Sequence, residues 1–188
     1  RQRQMCIRDR ALAAVSASFF IYYFIISLVI GVGSGTTVVI SQLFGAKQYQ
    51  KVQLAFSSFF IFMLVGGIIL SIAGIIFAEP VFRLTNTPEE VIPQAVAYFR
   101  IYIGGTFLFV TFNSIISILR GVGESVRPML FILITTVLNI AFDLLFILVF
   151  KWGIEGAARA TVVSQGIGMC IALAYVNNTH PCLLYTLR

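Results

Sequence analysis

Long apolar runs alternate with short polar breaks along the whole chain, and the runs are longer than a soluble core requires. Charge-poor stretches lie at about 16–43, 54–78, 91–119, 128–150 and 156–176. A helix needs about 20 apolar residues to cross the hydrocarbon core of a bilayer. The pattern therefore predicts an all-α fold, a polytopic transmembrane helical bundle of five spans.

The polar breaks define the turns. Loop 45–51 carries Lys47 and Lys51, and Glu79-Pro80 is expected to end the second span. The stretch from Thr85 to Glu90 reads as a turn and a new helix start at Thr87 or Pro88. Its acids fall in the first turn, where the helix dipole favours them. Arg120 to Glu124 forms a charged turn before Arg127-Pro128, and proline in a first turn costs little because its missing N–H has no helical partner there. Lys151 to Glu155 sends the chain back on itself, making 127–165 the hairpin around which the sequence is organised.

Small residues within the runs predict close helix contacts. Gly31 to Thr37 is such a segment, and Gly66, Gly67 and Gly74 mark the second span in the same way. Gly33 and Gly35 do not make a phosphate loop, since no Walker lysine follows. Asn113 and Ser117 share a face and read as interhelical bonding groups. Arg100, about two turns into the third span, reads as a side chain that snorkels to the interface.

Composition agrees with the pattern: 59% of the 188 residues are hydrophobic and 11% charged. A net charge of +6 would suggest nucleic acid in a soluble protein. Here the basic residues sit mostly in short loops and at the N-terminus, so the expected surroundings are a lipid bilayer and no nucleic acid. Lys47, Lys51, Arg120 and Arg127 lie on one side, against Arg83, Lys151 and Arg159 on the other. By the positive-inside tendency the first set is placed in the cytoplasm. The expected location is the cell membrane, multi-pass and bacterial.

Both ends look foreign. Met5 to Asp9 can be encoded by ATG TGT ATA AGA GAC, and Cys182 to Thr186 by TGT CTC TTA TAC ACA. The reverse complement of the second string lies within the first when the next codon begins with A, as an Arg10 codon can. Residues 1–10 and 182–188 are accordingly expected to derive from a sequencing adapter and are set aside. This leaves 11–176 as the native body, 177–188 without an assigned element, and the natural N-terminus beyond the sequence. Setting aside Cys6, Cys182 and His180 leaves Cys170, so no disulfide framework or metal cluster is expected.

Chemistry concentrates at one acid. Asp143 is the only ionisable residue between Met129 and Phe150. Its insertion cost, at least about 2.5–3.5 kcal/mol at a helix centre, marks a functional candidate. Asn139 lies one turn earlier on the same face. In an antiparallel hairpin, Thr161 comes to a depth similar to that of Asp143, so Asn139, Asp143 and Thr161 can converge on one cation or proton. A nucleophile with a base in reach is missing, so an enzyme is not expected. The plain alternative is a scaffold subunit in which Asp143 merely bonds a neighbouring helix.

Asn139-x3-Asp143, followed by Gly156-Ala157-Ala158-x-Ala160-Thr161-x2-Ser164-Gln165, resembles the multidrug and toxic compound extrusion (MATE) family of cation-coupled exporters. The loops Gly45-Ala46-Lys47 and Arg120-Gly121-x-Gly123-Glu124, the latter followed by Pro128, match in register. The resemblance covers nearly all of 11–176 and implies helices two to six of a twelve-helix protein. It also implies that Asn139, Asp143 and Thr161 belong to a cation site completed by an acid on a missing first helix. The expected activity is export of small organic, often cationic, compounds, with H⁺ or Na⁺ as coupling ion and no other cofactor. The expected partners are the missing first helix and C-terminal lobe of the same chain. Lipid-linked sugar flippases of related architecture are the alternative within transport. Arg159 departs from the family, which usually has an apolar residue there.

Overall fold

In a computed structural model, the structure describes residues 2–84, 89–90 and 92–179, with side chains at Phe19 and from Tyr22 onward. The expected helix start at Thr87 or Pro88 and the expected adapter residues 182–188 lie outside the described residues, as do the side chains of 1–10.

Six α-helices form the described chain: α1 (Gln2–Gly45), α2 (Tyr49–Leu84), α3 (Ile92–Gly104), α4 (Thr106–Gly121), α5 (Val126–Leu144) and α6 (Gly153–Thr179). A π-helical turn, Leu145–Val149, prolongs α5. Helices α3 and α4 run on as one span, so five stretches are long and apolar enough to cross a membrane: Tyr22–Gly45, Tyr49–Leu84, Ile92–Gly121, Val126–Val149 and Gly153–Thr179. Helices suit this environment because each satisfies its backbone polar groups internally, where lipid offers no partner.

The spatial centre is α4, not the α5–α6 hairpin on which the sequence is organised. Helices α1, α2 and α6 all pack on it. Val110, Ile115, Ile118 and Leu119 are fully enclosed there. A second cluster at the other end joins Tyr22, Phe82, Phe99 and Ile103. Helix α5 stays at the edge and buries only Pro128, Phe131 and Thr135. Pro128 falls in its first turn, as expected.

Helix α6 approaches closely because its buried side is made of small residues. Gly156, Ala160, Ser164, Gly168, Ala172 and Val176 recur every four positions on it. Small side chains at that spacing let helix backbones meet in a membrane, where van der Waals contact drives association. The same logic holds at Gly33, where an added Cβ would stand 2.9 Å from Ser117 Oγ. Beside it, the Thr37 hydroxyl donates to the Ser117 carbonyl at 3.0 Å.

Two expectations are corrected. The second span does not end at Glu79-Pro80: α2 continues to Leu84 with Pro80 inside it. Tertiary packing holds that last turn. Phe82 is fully buried with its ring edge-on to Phe99, and Arg83 reaches back to Glu79 at 3.1 Å. The third span stands as expected over Ile92–Gly121, with a local break in the helix at Gly105, whose side-chain position is filled by Val162 of α6. Asn113 does not bridge helices, because its amide donates to Phe109 O of its own helix at 2.9 Å. Arg100 is exposed beside Glu79, Arg83 and Glu89, in agreement with a side chain at the interface.

Candidate cation site

The hairpin brings two of the three expected residues into direct contact. Asn139 Nδ2 on α5 donates to the Thr161 hydroxyl on α6 at 3.2 Å. Thr161 in turn donates to Ala157 O at 3.1 Å, one turn back on its own helix. This leaves Asn139 Oδ1 and a lone pair on Thr161 Oγ1 as acceptors.

Asp143 follows one turn beyond Asn139. Its side chain is half-buried, and Oδ1 is enclosed with no protein partner. An enclosed carboxylate oxygen without a donor is costly, so its place calls for a proton or a cation. Asn139, one turn before Asp143, is the residue that bonds directly to Thr161. Asp143 is set nearer the turn, where the helix widens into the π segment Leu145–Val149 and Phe150 N–H bonds to Leu145 O at 3.1 Å. Such segments occur often at functional sites.

Two features escaped the sequence reading, a tyrosine cluster and Gln165. Tyr98 and Tyr102 of α3 form a cluster with Tyr22 of α1. The Tyr98 and Tyr102 rings stack at 5.7 Å, and Tyr102 meets Tyr22 edge-on at 4.2 Å. The signal was present as two tyrosines four apart in YFRIY, within one apolar run. Gln165, quoted only as part of a motif, is the second. Its Oε1 is enclosed without a partner, and it lines a cavity of about 240 Å³ with Asn113, Thr135, Thr136 and Asn139.

Among the described residues there is no group of three or more His, Cys, Asp or Glu side chains able to hold a metal ion. One carboxylate with neutral amide and hydroxyl oxygens suits a proton or a monovalent cation better than a hard divalent ion, which gathers several charged oxygens. Arg159 lies on the same helix as Thr161, but its guanidinium is taken by Glu155 at 3.0 Å.

Comparison with known proteins bears on this arrangement. The MatE family model matches residues 6–145. The probable multidrug resistance protein YoeA of Bacillus subtilis is 35% identical, over 91% of this chain and 38% of its own length. The probable multidrug resistance protein YpnP of the same organism is 38% identical, over 89% of this chain and 38% of its own length. Among solved structures, the crystal structure of MATE in complex with MaD3S superposes with a TM-score of 0.86 at 30% identity, covering 92% of this chain and 38% of that one. The chain thus spans about two fifths of the length of the relatives it matches.

Proposed function

The chain belongs to the MatE family of membrane transporters, and from that premise we propose that it forms part of a cation-coupled antiporter exporting organic, often cationic, compounds across the cell membrane. The observation that carries this reading is the α5–α6 junction, where the Asn139–Thr161 bond adjoins an enclosed, unpartnered carboxyl oxygen of Asp143.

Asp143 has two ways of being satisfied, and antiport uses the choice between them. Protonated, the acid is neutral and tolerates its surroundings. Ionised, it requires a cation, and Na⁺ would be completed by Asn139 Oδ1 and the Thr161 hydroxyl. Burial favours the first state and a bound cation the second. Loading the site biases inward- against outward-facing forms only to the extent that it binds one of them more tightly. The exposed apolar faces of α1 and α5 leave room for lipid and for further parts of a longer chain such as the relatives have.

The test is Asp143→Asn in the full-length protein. Asparagine keeps the volume and the hydrogen bonding but neither ionises nor releases a proton. Efflux driven by an imposed H⁺ or Na⁺ gradient in proteoliposomes should be abolished while expression and thermal stability are retained. Coupled efflux at the unchanged level would remove Asp143 from the mechanism.

A further inference from the structure

One group of side chains takes no part in the Asp143 site: the aromatic cluster at the α5–α6 turn and the arginine lying on it. Phe142, Phe146 and Phe150 follow one another along α5 and its π turn, with ring centroids 5.8 and 6.0 Å apart. Lys151 and Gly153 adopt left-handed backbone, φ 56° and 59°. Between them the chain folds back, so that Trp152 N–H bonds to Phe146 O at 3.0 Å. The indole comes to rest 5.1 Å from both Phe146 and Phe150.

Arg159 reaches across from α6 and holds its guanidinium 4.7 Å over the Trp152 ring, while Nη2 donates to Glu155 Oε2 at 3.0 Å. Aromatic face and carboxylate together are the chemistry that recognises an organic cation. Here the cation in that place is the chain's own.

We propose that the corner between Trp152 and Glu155 is an organic-cation seat, filled at rest by the Arg159 guanidinium, which an incoming aromatic or quaternary cation must displace. Displacement is feasible because Arg159 and Glu155 keep 41% and 42% of their side-chain surfaces exposed. An exposed ion pair of this kind contributes little in water. A large apolar cation gains more than a guanidinium does, since it also covers Phe150 and Trp152, which are 50% and 44% exposed. The phenylalanine stripe then leads from the seat to Phe142, the neighbour of Asp143. The role of the seat in transport rests on the antiport reading, but its binding chemistry does not. In that role Arg159 sets a threshold, keeping out cations that hold the indole less well than it does.

Trp152 is the only tryptophan of this sequence, so in full-length protein with any tryptophan outside it replaced by phenylalanine, indole fluorescence reports on the seat alone. That protein, in lipid nanodiscs, is titrated with tetraphenylphosphonium. Arg159→Ala should reach half-saturation at about tenfold lower concentration than the unchanged chain, the scale of a partly desolvated cation–π contact. Arg159→Lys should stay near the unchanged chain, and Arg159→Ala combined with Glu155→Gln should lose the gain. Superimposed curves for Arg159→Ala and the unchanged chain would overturn the proposal. So would an equal gain with the anion tetraphenylborate, which would show only a greasy surface. Circular dichroism checks the fold, and Arg159→Met, which keeps an apolar stem, makes the same comparison should the alanine variant lose helix. The readout is binding at Trp152 rather than efflux, so failure here leaves the antiport reading standing, and failure of antiport leaves the seat standing.

Discussion

Single residues in this bundle divide by whether their polar atoms are satisfied by their own helix. Thr111, Asn113, Ser114, Thr135 and Thr136 all bond to carbonyls one turn back, and this spends their hydrogens locally. Asn139 is different, because its amide crosses to another helix. A membrane interhelical hydrogen bond averages only about 0.6 kcal/mol, so the Asn139–Thr161 contact matters less for stability than for holding oxygens near Asp143. Asn139→Ala and Thr161→Val in the full-length protein should therefore leave thermal stability within about 1 kcal/mol. Each should weaken gradient-driven efflux without abolishing it, since the carboxyl remains. Loss as complete as that expected of Asp143→Asn would assign these residues a larger share of the site.

At the scale of elements, helix boundaries follow packing more than local sequence. Pro80 lacks the N–H that a helix interior uses, a defect of about 3 kcal/mol in an isolated helix. The helix passes through it because Phe82 and the Glu79–Arg83 pair are held on the far side. Gly105 shows the converse, a break inside one apolar run where α6 comes too close for any side chain. Gly105→Val should cost about 1–3 kcal/mol through overpacking against Val162. Thermal unfolding in detergent reads this loss. Val162→Ala in the same chain should recover part of it, and unchanged stability of Gly105→Val would show that α3 and α4 can separate from α6 at no cost.

The whole molecule is a layer of helices around α4, with α1 and α5 exposing long apolar surfaces at its edges. The orientation we propose for it rests on the basic residues of the loops. Gln48, in the short turn between α1 and α2, and Glu89, just before α3, are both exposed and lie at opposite ends of α2. In full-length protein without its natural cysteines, Gln48→Cys and Glu89→Cys should differ when intact cells meet a membrane-impermeant thiol reagent. Only Glu89→Cys should be labelled. Equal labelling would overturn the arrangement with loops 45–51 and 120–127 in the cytoplasm.

Much of this was legible in one dimension, because a membrane imposes a length and a polarity that each span must meet independently of its neighbours. The five spans, the short turns and the isolation of Asp143 in an apolar run follow from that requirement. So does the proximity of Asn139 and Asp143, since residues four apart share a helix face whatever surrounds them. Contacts between helices have no such local rule. That Asn139 rather than Asp143 bonds to Thr161 depends on how the π segment and the turn at Trp152 take up the chain, and that Tyr102 meets Tyr22 depends on where α3 lies against α1. In the sequence Arg159 is only a departure from the family's usual apolar residue, and only the fold shows the indole and the carboxylate that hold it. Register, rotation and the pairing of distant side chains are set by which surfaces close most tightly, and only the tertiary structure decides that.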